Sequence, residues 1–150
     1  MKIGDIAPDF TLPDQGGEQV SLSSLLASNP VVLFFYPRAF TPGCTAESCA
    51  FRDAGEDLEA LGAIRLGISS DSIERQEKFS SKYDLGYKLL SDTSKEVAKL
   101  YEVKRPGPLF SKRTTFVISK DKKVEAIIHS EFDINKHVDL AKEALKRIAS

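Results

Sequence analysis

Val31 to Tyr36, VVLFFY, is an unbroken apolar run, and no other stretch limits the fold of this chain as tightly. Apolar residues without alternation describe a strand covered on both faces, and Pro37, which has no N–H to give a ladder, ends it. The run is therefore a central strand. Thr41-Pro42-Gly43-Cys44 follows and reads as a helix start, with Thr41 as N-cap and Pro42 at the first helical position. Cys44 is then the third helical residue, its N–H facing the Thr41 hydroxyl.

That placement matters for a thiol. The first turn of a helix carries unpaired N–H groups and about half a positive charge, which favour an anion. Cysteines in such positions, above all beside an Arg, are the ones that act as thiolate nucleophiles. The alternative is that Cys44 is a small buried hydrophobe, as free cysteines often are.

The chain has 150 residues, enough for one domain (1–150) with a real core and no disulfide staples. Lys plus Arg number 21 and Asp plus Glu 22, well mixed, so the net charge of −1 gives no electrostatic case for nucleic acid or an anionic membrane. The longest apolar run is too short to span a bilayer, and the N-terminus, with Lys2, Asp5 and Asp9, has no signal-peptide core. A cytoplasmic location is expected. Two cysteines are all there are, Cys44 and Cys49. The cytosol disfavours structural bridges, two thiols without a nearby His make a poor zinc site, and the spacing is not C-x-x-C. Redox chemistry is the better use.

Along the chain, Asp9–Leu12 and Gln19–Leu22 flank Pro13-Asp14-Gln15-Gly16-Gly17 as an N-terminal hairpin, and Ser21–Leu26 is a turn or short helix. Ala46, Ala50, Ala54, Leu58 and Leu61 recur at helical spacing, predicting one helix from Pro42 to the stop at Gly62. Ala63–Ile68 is a second central strand, and Ser69–Ser72 a polar loop capping a helix over Ile73–Lys82. Leu89-Leu90 is too short to assign. Ser91-Asp92-Thr93 caps a helix over Ser94–Tyr101, and Arg105-Pro106-Gly107-Pro108 is a loop. Thr114–Ile118 and Val124–Ile128 form an antiparallel hairpin around Asp121-Lys122-Lys123, and Asn135–Ile148 is an amphipathic last helix. The order predicts an α/β sandwich with a mixed central sheet flanked by helices. Tyr83, Tyr87 and Tyr101 read as core or rim, and His129 and His137, in no motif, as structural or solvated.

Pro37, Thr41 and Cys44, in the frame P-x-x-x-T-x-x-C, resemble the active-site signature of the peroxiredoxins. FYPRAFTPGCTAESCAFRD, with Cys49 five residues after Cys44, is similar to the bacterioferritin comigratory protein branch, also called peroxiredoxin Q. IGDIAPDFTLPDQGG, Ile68–Ser72 and RTTFVIS from Arg113 to Ser119 match in kind and order, so the resemblance covers nearly the whole chain. It implies a thioredoxin-like fold with an N-terminal β-hairpin extension. It also implies a thiol-dependent peroxidase acting on hydrogen peroxide and organic hydroperoxides, without metal, haem, flavin or other cofactor. Cys44 would be the peroxide-attacking thiol, Arg113 the guanidinium reaching it, Glu47 the carboxyl orienting that Arg, and Pro37 the ring shielding the pocket from water. Plain readings stand beside each: a surface Arg at a strand end, a carboxylate complementing a helix dipole, a strand-ending proline, and for Thr41 an N-cap as well as a donor to the peroxide.

The resemblance further implies that Cys49 resolves the Cys44 sulfenic acid to an intramolecular disulfide, which thioredoxin or a glutaredoxin-like donor then reduces. Five residues along an intact helix put the two Cα atoms about 8.6 Å apart on different faces. A disulfide tolerates about 7 Å, so the helix must open first, Gly43 serving as hinge. The Arg105–Phe110 loop departs from what this branch leads one to expect. The Gly-Gly-Leu-Gly element and C-terminal Tyr-Phe helix of relatives prone to overoxidation are lacking, and without an obvious C-terminal arm a monomer is expected. A dithiol reductase or thiol chaperone and a non-enzymatic redox sensor remain as alternatives. The first fits the cysteine spacing poorly and has no need of Thr41 or Arg113.

Overall fold

A computed structural model describes residues 1–106 and 111–149. The chain opens with a small antiparallel hairpin, β1 (Thr11–Pro13) and β2 (Gln19–Ser21), then a short helix α1 (Leu22–Leu26). The apolar run forms β3 (Val31–Phe35), followed by α2 (Pro42–Asp53), α3 (Gly55–Ala60) and β4 (Ile64–Ser69). Next come α4 (Ile73–Tyr83), β5 (Lys88–Ser91), α5 (Glu96–Leu100), the hairpin β6 (Thr114–Ile118) with β7 (Val124–His129), and α6 (Ile134–Ala149). The last two residues of the Arg105–Pro108 segment and the rest of the loop to Phe110 lie outside the described residues.

The five main strands lie in the order β5-β4-β3-β6-β7, with β3, β4 and β5 parallel and β6 and β7 antiparallel. The sheet is mixed, as expected, with β3 at its centre. The period of two along β3 explains why every one of its residues is apolar. Val32, Phe34 and Tyr36 enter one core with Cys44, Phe51, Phe79, Val138 and Leu145 from α2, α4 and α6. Val31, Leu33 and Phe35 enter the other with Leu22 and Leu26 from α1, Val97 from α5 and Tyr101 just after it. Helices cover both faces, and the thiol of Cys44 belongs to the first core.

Three local differences from the sequence expectations have physical causes. The helix predicted from Pro42 to Leu61 is divided at Ala54. Arg65 of β4 donates from Nη1 to the Phe51 carbonyl (2.9 Å), an acceptor the continuing helix would use, and a Cβ at Gly55 would lie 2.9 Å from that same nitrogen. The unassigned Leu89-Leu90 pair sits in β5, whose partner β4 supplies the ladder that its own short pattern could not announce. The Thr41 hydroxyl makes no cap bond to α2; it donates instead to the Arg38 carbonyl at 2.8 Å. By contrast, Ser72 caps α4 by accepting the Arg75 N–H, and the Asp92 carboxylate accepts the Val97 and Ala98 N–H groups at the start of α5.

Candidate active site

The end of β3 hands the chain to a bend, residues 37–41, that sets Cys44 in the first turn of α2 with no solvent exposure. Two N–H groups converge on its sulfur. The Arg38 backbone N–H lies 3.5 Å from Sγ, and Arg113 Nη2 lies 3.4 Å from it. Donors of this kind, one of them a permanent cation, stabilise a thiolate over a thiol.

The bend is held from outside. Asp71 Oδ2 accepts the Ala39 N–H (2.8 Å), Arg75 Nη2 donates to the Ala39 carbonyl (2.9 Å), and Arg75 Nε lies 2.8 Å from Asp71 Oδ1. Ser69 Oγ donates to the same carboxylate, and Gln76 ties Ser69 to the hydroxyl of buried Tyr36. The grip is needed because Phe40 has φ +68°, a left-handed conformation that costs a non-glycine residue about 1–2 kcal/mol. Asp71 and Arg75 were not singled out in the sequence, where they read only as a cap loop and a helix surface.

Arg113 reaches the sulfur because of strand register. Thr114 pairs with Phe35, so the residue before β6 lies beside the point where the chain leaves β3. Each of its three nitrogens is engaged: Nη2 to Cys44, Nη1 to Glu47 Oε1 at 2.9 Å, Nε to the Glu131 carbonyl at 3.2 Å. The backbone N–H of Arg113 adds a bond to Glu131 Oε2, which also pairs with Arg105 at 3.3 Å. Glu47, three residues after Cys44, shares its helix face and is fully buried. Burial pushes its carboxyl up to about 8, against the pull of Arg113.

Behind Glu47 stands His137 of α6, also fully buried. Its Nδ1 lies 2.7 Å from Thr115 Oγ1 and 3.6 Å from Glu47 Oε2, and its Nε2 lies 2.8 Å from the Ser130 carbonyl. The other histidine, His129, is exposed, with Nδ1 at 3.3 Å from Thr114 Oγ1.

The structure thus brings together Cys44, Arg113 and Glu47. Thr41 and Pro37 sit half-buried on the bend, Thr41 turned to Arg38. Cys49 stands apart, on the same unbroken α2, with both thiols free. It lines a separate cavity of about 420 Å³ between α2 and α6, with Asp53, Asp57, Asp139 and Lys142. Among the described residues no cluster of His, Cys, Asp and Glu is arranged to hold a metal, and no helix is long and apolar enough to cross a membrane.

The AhpC/TSA family profile matches residues 3–127. A protein of Mycobacterium tuberculosis strain H37Rv named as a peroxiredoxin is 49% identical over 153 residues, covering 100% of this chain and 99% of that protein. Chloroplastic peroxiredoxin Q of Sedum lineare is 43% identical over 150 residues, covering 98% of this chain and 77% of that protein. Among solved structures, the peroxidoxin BcpB of M. tuberculosis superposes with a TM-score of 0.96 at 48% identity, over 100% of this chain and 99% of that one. The bacterioferritin comigratory protein of Xanthomonas campestris, described for its alkyl peroxide reduction activity, superposes with a TM-score of 0.89 at 28% identity, over 100% and 98%.

Proposed function

The chain belongs to the AhpC/TSA family, in its bacterioferritin comigratory protein (peroxiredoxin Q) branch, and is a thiol peroxidase; from that premise we propose that Cys44 attacks the peroxide and Cys49 resolves the product. The observation that supports this reading most is the convergence of Arg113 Nη2 and the Arg38 N–H on the Cys44 sulfur, at 3.4 and 3.5 Å.

Ionisation alone does not make such an enzyme. An ordinary thiol is already a few per cent thiolate at neutral pH, so complete ionisation gains roughly thirtyfold, whereas enzymes accelerate by about 10⁶ or more. The remainder comes from stabilising the displaced oxygen. The Cys44 thiolate attacks one peroxide oxygen, the O–O bond breaks, and the electron pair goes to the other oxygen, which takes a proton and leaves as water or an alcohol. Arg113 is placed to hold the growing negative charge with the same fork that holds the sulfur, and the Thr41 hydroxyl, which donates to the Arg38 carbonyl at the same bend, becomes a second donor by turning to the peroxide. Glu47 fixes the guanidinium, and the half-buried Pro37 ring keeps bulk water from the sulfenic acid.

The Cys44 sulfenic acid then condenses with the Cys49 thiol, forming the S–S bond and releasing water. On an intact α2 the Cα atoms are about 8.6 Å apart, so the first turns open for this step. A thiol reductant, thioredoxin or a glutaredoxin-like donor, restores both thiols. The alkyl peroxide activity described for the X. campestris relative, matched over the full length of this chain, supports organic hydroperoxides as substrates beside hydrogen peroxide. We take residues 1–150 to act as one cytoplasmic domain, as a monomer.

The test is a single turnover. Reduced protein mixed with one equivalent of hydrogen peroxide consumes it rapidly, Cys44→Ser abolishes the reaction, and Cys49→Ser retains one fast turnover and stops at the sulfenic acid. Rapid reduction of insulin disulfides with indifference to peroxide would replace this reading with a dithiol reductase.

A further inference from the structure

Resting on the assignment of Cys44 and Arg113 above, we infer that His137 is a positioning residue for the site, acting through Glu47. The pair holds a single proton, on the Glu47 carboxyl that faces the imidazole, which frees the Arg113 charge for the sulfur.

The buried cluster carries more negative than positive charge. Cys44, Glu47 and His137 have no solvent exposure and Arg113 only 6%. A thiolate, a carboxylate and one guanidinium sum to −1 in a region closed to bulk solvent, and an uncompensated buried charge costs several kcal/mol in general. One added proton makes the cluster neutral. Glu47 Oε1 is occupied by Arg113, but Oε2 is buried with no hydrogen-bond partner, and the polar atom facing it is His137 Nδ1 at 3.6 Å.

The histidine is oriented to serve. The Ser130 carbonyl can only accept, so Nε2 carries a hydrogen and Nδ1 is left as the basic nitrogen that faces Glu47. Thr115 Oγ1, 2.7 Å from Nδ1, donates or accepts by turning its hydroxyl, so it suits a proton on either group. Burial pushes Glu47 up to about 8 and, with the Arg113 and His129 charges, pushes His137 down. Both directions put the proton on the carboxyl. The other charged groups facing the imidazole do not alter this: Glu131 pairs with Arg105 and bonds the Arg113 N–H, and His129 is exposed.

With the proton present, Glu47 is a neutral acceptor for Nη1, and Nη2 spends the full guanidinium charge on Cys44. Once it is lost, an anionic Glu47 competes for Arg113 and repels the thiolate. The peroxide reaction therefore acquires a basic limb near pH 8.

The rate of the first turnover against pH, with the infrared spectrum of the reduced protein, tests this. The expected results are a protonated-carboxyl band that Glu47→Gln removes, and a basic limb that the same substitution abolishes. In His137→Asn, whose amide takes no proton and can donate to Oε2 and so favour the carboxylate, the limb should move down by about one pH unit. Should that variant not fold, Thr115→Val, which leaves Nδ1 to Glu47 alone, should move the limb up. A limb unmoved in these variants, or no protonated-carboxyl band at neutral pH, overturns the proposal. A merely structural His137 would lower stability and leave the pH profile in place. The infrared band is read without turnover, so it separates failure of this proposal from failure of the peroxidase assignment.

Discussion

Gly43 and Arg113 are in a contact that excludes a side chain: a Cβ on residue 43 would lie 2.8 Å from Arg113 Nη2. The glycine is therefore what lets the guanidinium lie across the first turn of α2 and reach Cys44. Gly43→Ala should act on chemistry more than on folding, because the atom that must give way is the mobile tip of the arginine, and alanine suits a helix better than glycine. The peroxide rate should fall about tenfold to a hundredfold, as expected for a displaced catalytic group, with the melting temperature nearly unchanged. Stopped-flow kinetics beside a thermal melt checks it, and an unaltered rate would mean that Arg113 is not held where the contact puts it.

Arg113→Lys keeps the charge and loses the fork. One ammonium cannot meet Cys44 Sγ, Glu47 Oε1 and the Glu131 carbonyl at once, although three nitrogens of the arginine do. The variant should lose about 10²-fold in peroxide rate, the usual effect of removing one preorganised donor. Comparing hydrogen peroxide with an organic hydroperoxide in the same assay tells whether the loss is common to both substrates.

Glu47 also makes stability depend on pH, with a definite sign. Its carboxyl goes from an ordinary 4.5 in the unfolded chain to about 8 in the fold, chiefly through burial, so between those values the folded protein holds a proton that the unfolded chain has lost. The contribution is fully present below about 4.5 and is lost as the pH rises through about 8. Thermal melts of the reduced protein should therefore show wild type losing ground to Glu47→Gln across that window. A constant difference between the two proteins would show that Glu47 is ionised in the fold.

The parts of the molecule legible in the sequence are those written in one contiguous stretch. Val31–Tyr36 declared a central strand because the sheet's cores on both sides demand apolar residues at odd and even positions alike. Thr41-Pro42-Gly43-Cys44 declared a helix start for similar local reasons. The resemblance of the PxxxTxxC frame and of RTTFVIS pointed to Arg113, which the register of β6 against β3 then delivers to the sulfur. Features made by distant segments left no such trace. Asp71 and Arg75 hold the bend at Ala39 from the β4–α4 loop and α4, and His137 meets Glu47 only after α6 folds back over α2. Nor could an alanine-rich stretch reveal its break at Ala54, which is made by the side chain of Arg65.

The two thiols are too far apart to join while α2 is intact. Both lie on α2, Cys44 fully buried and Cys49 half-buried in the cavity against α6, and the reduced helix runs without interruption from Pro42 to Asp53. Because about 8.6 Å between Cα atoms exceeds the span of a disulfide, the bond forms only if residues 43–49 abandon helical geometry. Little packing opposes this at one end, since Gly43, Thr45 and Ala46 are small and not buried, but opening also withdraws Cys44 from Arg113 and Arg38 and exposes the carboxyl of Glu47. Local opening of this kind involves free energies well below global unfolding. Hydrogen exchange of residues 43–52 should consequently be slow in reduced protein and fast after one equivalent of peroxide, while β3 and β4 remain protected in both. Cys49→Ser, oxidised in the same way, should keep the slow pattern, because its sulfenic acid has no partner to pull the helix open. Equal protection of α2 in the reduced and peroxide-treated wild type would mean that the two cysteines do not join within one chain, and that the resolving thiol comes from another molecule.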